Sequence, residues 1–232
     1  MIPLRDNLPT RHVPIVTLLL IGINAYAFLK LFWMGPYVGQ RYLLYYGLVP
    51  CSLTGSCQVP GRAFSPEVTL FTSMFVHAGF FHVAGNMLYL WIFGNNIEDA
   101  MGRVRFLVFY LLCGLGAAYA QILMGPGSRI PMVGASGAVS GVLGAYLLLF
   151  PHARVLTLIP IFFFVQIVEI RAVFVLVFWI VIQLLNGFLT FSQEGGGVAW
   201  FAHIGGFAAG CILIGLFKKR TVPWGWQRYH PF

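Results

Sequence analysis

Residues 155–168 read VLTLIPIFFFVQIV, and how this stretch is taken decides how the rest of the chain is threaded. It is apolar, but it reaches only about two-thirds of the ~20 residues that a spanning helix needs. Pro160 interrupts it, and Glu169 and Arg171 follow it at once. A run this short reads as interfacial, or as buried against other helices, rather than as a crossing. Everything downstream changes side if it is counted as one.

Working outward, six longer apolar segments remain. Upstream lie residues 134–150, 104–124, 81–97 and 13–34; downstream lie 172–191 and 198–217. The first contains Ala25-Tyr26-Ala27, which resembles a small-residue cleavage site, but its apolar run continues to Met34, unlike a signal peptide. The expected fold class is an all-α integral membrane protein with six transmembrane helices. Residues 1–12 form an N-terminal segment, 13–217 the core with an outer loop at 35–80, and 218–232 a tail.

Composition agrees. Of 232 residues, 59% are hydrophobic and 9% charged, with mean hydropathy +0.84, where a soluble domain carries about 25% charged residues. The chain could not cover itself with polar surface in water, so its solvent is the lipid bilayer. A net charge of +8 invites a nucleic-acid reading. The basic residues are scattered beside apolar segments, which is a membrane-topology pattern, and no nucleic acid is expected. Cys113 and Cys211 sit inside apolar segments as packing residues. Cys51 and Cys57 lie in the outer loop and could form a disulfide if that loop faces an oxidising compartment.

The basic residues also give orientation. With six spans, one side collects Arg5, Arg11, Arg103, Arg105, Arg154, Arg171, Lys218, Lys219, Arg220 and Arg228. The other collects Arg41, Arg62 and Arg129, with Lys30 near the outer end of the first span. Excess Lys and Arg marks the cytoplasm, so both termini are expected there. A compact chain of this kind suggests a bacterial inner (plasma) membrane.

Polar residues inside hydrocarbon are costly and usually functional. The second segment opens with His77, His82 and Asn86, the fourth with Gly134-Ala135-Ser136-Gly137, and the sixth holds Ala202-His203-Ile204-Gly205-Gly206. In a six-span topology all three segments enter from the outside, so the clusters share one depth. His82 and Asn86, four apart, share a helical face. Ser136, Ser140 and Gly144 form one small-residue ridge, with Gly137 and Gly141 beside it; Ala202, Gly206 and Gly210 form another. Such ridges let membrane helices approach closely, which would bring His203 toward Ser136. A packing motif without chemistry would show the same ridges but not a histidine beside each.

A serine hydroxyl needs a base, and His203 is the candidate. The acidic residues are Asp6, Glu67, Glu98, Asp99, Glu169 and Glu194, and none lies near the outer ends of these segments. A Ser136–His203 dyad is what remains. His82 and Asn86 can donate to an oxyanion together with the Ser136 amide. Position 138 is alanine, so the Gly-x-Ser-x-Gly elbow of soluble hydrolases is absent. Zinc-protease and aspartyl chemistries fail on inventory: there is no His-Glu-x-x-His, and the only aspartates are Asp6 and Asp99. A His77/His82/His203 metal site would leave the serine unexplained.

Together these motifs resemble the rhomboid proteases. The run Glu98-Asp99-Ala100-Met101-Gly102-Arg103-Val104-Arg105-Phe106 is also similar to that family's Glu-x-x-x-Gly-x-x-x-Phe signature, and the resemblance covers about residues 10–217. It implies a six-helix bundle and a serine endopeptidase that cuts single-span membrane-protein substrates with Ser136 and His203. It implies an oxyanion hole of His82, Asn86 and the Ser136 amide, and it places His77 at the mouth of the site. No metal or organic cofactor is expected. The fifth segment and the loop after it would be gate and cap. Two features depart from the family pattern. Well-known members carry, four residues after the nucleophile, a tyrosine that stacks beneath the histidine; here it is Ser140. Some carry a Trp-Arg pair in the first outer loop; residues 35–76 have none. The alternatives are a catalytically inactive rhomboid-like protein that binds membrane clients, and a transporter. The sequence leaves the oligomeric state open.

Overall fold

A computed structural model describes residues 1–161, 164–190 and 198–225. The expected cap loop, which falls largely on 191–197, and Arg228 lie outside the described residues. Seven helices carry the architecture: α1 (Ile15–Trp33), α2 (Gly35–Tyr46), α3 (Phe80–Met101), α4 (Arg103–Met124), α5 (Ser136–Leu149), α6 (Ala172–Leu189) and α7 (Trp200–Phe217). All but α2 fall on the six apolar segments. Each of the six is apolar and free of internal proline, so the backbone can satisfy its own hydrogen bonds without water. Among the described residues, α1, α4, α6 and α7 are long and apolar enough to cross a membrane. A fifth candidate is α3 with Pro66–Phe75, which is bent 78° from it.

Helix α5 differs. Its 14 residues span roughly 21 Å, short of the ~30 Å hydrocarbon core. Eleven of them are buried, which makes α5 the centre of the bundle. It packs backbone to backbone against α7. A Cβ added at Gly206 would lie 2.0 Å from the Gly137 carbonyl oxygen, and one at Gly210 would lie 2.0 Å from that of Gly141. On its other side, a Cβ at Gly141 would meet Cys113 of α4 at 2.4 Å. The outward faces keep large apolar side chains, such as Phe81 at 89% and Phe188 at 81% exposure. Lipid is the solvent that suits such a surface.

The described residues of the stretch at 155–168, namely 155–161 and 164–168, are extended and not helical, and the chain is mostly helical rather than all-α. Antiparallel strands β2 (Arg154–Ile161) and β3 (Phe164–Arg171) pair so that Arg154 faces Arg171. The segment therefore leaves and returns to one end of the bundle. Strand β1 (Ile2–Asp6) joins the other edge of β2, in the order β1-β2-β3. Val155, Thr157, Ile159, Val165, Ile167 and Ile170 are β-branched, which favours pleated over helical backbone. Pro160 would have broken a helix in any case.

The same end carries the α3–α4 turn. Gly102 takes φ +86°, and Phe106 is fully buried. The Glu98 carboxylate, 3% exposed, accepts from the backbone N–H of Val16 (3.0 Å) and Thr17 (2.8 Å) and from the Thr17 hydroxyl (2.8 Å). One buried acid thereby caps the start of α1, supplying an acceptor for otherwise orphaned donors.

Candidate active site

The loop before α5 is fixed by the outer loop. Leu48 and Met132 exchange backbone hydrogen bonds of 2.9 and 2.7 Å, and Gly134 N–H donates to the Ser73 carbonyl at 2.9 Å. The outer loop is itself tied by a Cys51–Cys57 disulfide. Arg62 adds bonds to the carbonyls of Leu44 (2.6 Å) and Gly47 (3.2 Å) and to the Ser52 hydroxyl (3.2 Å). These contacts brace the loop without a Trp-Arg pair. Gly134 needs its φ of +116°, and a Cβ there would strike the His82 ring at 2.6 Å. Only glycine lets the imidazole sit against the serine loop.

Ser136 is the first residue of α5. Its Oγ lies 2.9 Å from Nε2 of His203 on α7, a contact that spans 67 residues of sequence. Both side chains line a cavity of about 650 Å³, together with His82, Asn86 and Trp179. The Asn86 Nδ2 is buried and has no hydrogen-bond partner among the described residues. Of the five residues singled out from sequence, Ser136, His203, His82 and Asn86 therefore meet around one space. His77 lies behind the mouth rather than at it: it is fully buried, and its Nε2 accepts from the Ala135 N–H at 3.3 Å. Its ring stands edge-on to His82, centroids 5.1 Å apart. Its place is under the serine loop.

Ser140, at the position of the expected stacking tyrosine, bonds within its own helix. Its hydroxyl donates to the Ser136 carbonyl at 2.6 Å. The ring of His203 is bounded instead by Trp179 of α6, centroids 5.8 Å apart, and by Trp200, which meets it edge-on at 6.2 Å. Its Nδ1 lies 2.8 Å from Oε1 of Gln183, also on α6. Gln121 of α4 accepts from the Ala202 N–H at 3.2 Å and so holds the first turn of α7. Sequence reasoning passed over Gln183, Gln121 and both tryptophans. The two glutamines carried a usable signal, since an uncharged amide within an apolar helix also marks a site that needs a partner.

A family model, the Rhomboid domain, matches residues 66–220. Over 193 residues the chain is 34% identical to RHOMBOID-like protein 1 of Arabidopsis thaliana, covering 77% of this chain and 45% of that protein. It is 32% identical to Rhomboid protease GluP of Bacillus subtilis (strain 168) over 161 residues, 66% of this chain and 28% of the relative. It is 34% identical to Rhomboid protein 1, mitochondrial, of Saccharomyces cerevisiae over 94 residues, 39% of this chain and 27% of that one. The chain spans less than half the length of each of these three relatives.

Proposed function

Because this chain belongs to the rhomboid family of membrane-embedded proteins, we propose that it is an intramembrane serine endopeptidase using Ser136 and His203. The observation that carries this reading is the 2.9 Å contact between Ser136 Oγ and His203 Nε2, made across two helices inside a cavity. Nε2 takes the hydroxyl proton as Oγ attacks the scissile carbonyl carbon. The resulting oxyanion accepts from the Ser136 N–H at the start of α5, from Asn86 Nδ2 and from His82. Collapse breaks the C–N bond, and the leaving amine takes the proton from His203. Water then hydrolyses the acyl-enzyme with His203 again as base.

The fold is read as six crossings, with α5 as a short central span. Its shortness sinks Ser136 below the surface of the membrane. The basic residues around the sheet support a cytoplasmic side for that end and for both termini, with the serine facing outward. Substrates are single-span membrane proteins whose helices unwind near the outer surface, since a peptide bond inside a stable helix is hydrogen-bonded and shielded. The relatives come from a plant, a bacterium and a yeast mitochondrion, so the expectation of a bacterial plasma membrane gains nothing from them.

The test is cleavage of a single-span model substrate by the purified chain in detergent, native against Ser136→Ala, with phosphonate labelling of the serine. Native cleavage near the outer end of the span, lost in the variant, supports the reading. No cleavage and no labelling would favour a client-binding protein. Equal cleavage by both forms would remove Ser136 from the mechanism.

A further inference from the structure

We propose that Gln183 is a positioning residue that completes the dyad, holding His203 in the one tautomer that can act as base. The inference rests on the protease reading above. Gln183 lies in α6, is 5% exposed and comes from a different helix than either member of the dyad. Its two amide ends have different neighbours. The Nε2 end donates to the Trp179 carbonyl at 3.1 Å, and the Oε1 end lies 2.8 Å from His203 Nδ1.

That asymmetry fixes a chain of protons. A carbonyl oxygen can only accept, so the atom 3.1 Å from Trp179 O must be the NH₂ nitrogen. Turning the amide over would set two oxygens against each other at that distance. Oε1 therefore faces the imidazole, and since it can only accept, Nδ1 must carry the hydrogen. In a neutral ring the other nitrogen is then bare. The bare nitrogen is Nε2, which lies 2.9 Å from Ser136 Oγ and is ready to take its proton. The carbonyl of Trp179 thus sets the amide, the amide sets the tautomer, and the tautomer sets the direction of proton transfer.

Two further features follow. The Trp179 ring also faces His203 at 5.8 Å, so one turn of α6 confines the imidazole both in its plane and across its face. Because Gln183 and His203 sit on separate helices, the base is oriented only while α6 lies against α7. A bland alternative is a buried amide satisfied by its own helix, with the histidine nearby by accident. It makes different predictions.

The experiment uses the full chain in detergent. Gln183→Leu keeps the volume and removes the acceptor. It should lower kcat roughly 10–100-fold with KM within about threefold, less than the ~10⁴ lost when a triad aspartate is replaced by its amide. Gln183→Glu, as the neutral acid its burial favours, donates its O–H to the Trp179 carbonyl and keeps an acceptor for Nδ1. It should recover most of kcat, and that recovery should fade as rising pH ionises the carboxyl. Independently, ¹⁵N NMR of histidine-labelled native protein should find His203 protonated at Nδ1 and bare at Nε2. A native kcat in the Leu variant, or a native ring protonated at Nε2, overturns the proposal. If the native chain neither cleaves nor labels, the protease reading falls, and the NMR signature alone then decides whether Gln183 sets the tautomer.

Discussion

Asn86 has a buried amide nitrogen with no partner among the described residues, in a wall that also holds Ser136. An orphaned buried donor costs about 1–3 kcal/mol, and the proposed chemistry would give it an acceptor only when an oxyanion forms. Asn86→Ala should therefore lower kcat by about 10²–10³-fold while leaving thermal stability equal or slightly raised. Kinetics and melting in one detergent check both halves, and an unchanged kcat removes Asn86 from the oxyanion hole. The meeting of Ser136, His203, His82 and Asn86 was legible because polar groups stand out in apolar segments and because the expected six-span topology sets them at one depth. Gln183 was not, because the partner expected of a catalytic histidine is an acid, and an amide within an apolar helix reads first as packing. A neutral amide can orient an imidazole without the cost of burying a charge.

Among elements, the six apolar segments were readable from length and composition, and the small-residue ridges told which helices touch. What the ridges did not give was the register. Gly206 of α7 meets Gly137 of α5, and Gly210 meets Gly141, with no room for a methyl group at either Gly206 or Gly210. The apolar run at 155–168 was readable as too short for a spanning helix, but strands β2 and β3 were hidden because a short apolar run fits several structures until its partner is known. That partner, β1, lies about 150 residues away in sequence. Close packing at Gly206 also sets the site, since His203 stands one turn earlier on the same helix. Gly206→Ala should force α7 off α5, costing about 1–3 kcal/mol and lowering cleavage. Gly22→Ala in α1, where an added Cβ meets nothing within 4 Å, is the control and should be neutral or gain up to about 1 kcal/mol. If both variants melt and cleave alike, the α5–α7 contact does not govern the dyad.

At the scale of the whole molecule, the candidate site and the anchoring contacts occupy opposite ends. The Ser136–His203 cavity is at one end. The other end holds the sheet, the Glu98 cap and Lys219, whose backbone N–H donates to the Ala100 carbonyl at 2.9 Å and whose Nζ donates to that of Asp99 at 2.8 Å. Asp6 ties that anchoring end together, accepting at Oδ2 from the Tyr146 hydroxyl of α5 and from Asn96 Nδ2 of α3. Burial lifts the Asp6 carboxyl from an ordinary 3.8 to about 6, against the opposing pull of the Tyr146 hydrogen bond. A carboxyl whose folded value is raised holds its proton more tightly when folded. Its contribution to stability is therefore complete below about pH 4 and is lost as pH rises through about 6. The shift corresponds to about 3 kcal/mol at most, and partial solvent contact reduces the expected difference to about 1–2 kcal/mol. Asp6→Asn keeps an acceptor for Tyr146 and cannot ionise. Native protein should therefore lose melting temperature relative to this variant as pH rises from about 4 to about 6, with the gap levelling off above about pH 6.5. Parallel melting curves across that range would mean that the Asp6 carboxyl ionises freely, and that the N-terminal strand is held to the bundle by its sheet pairing rather than through this acid.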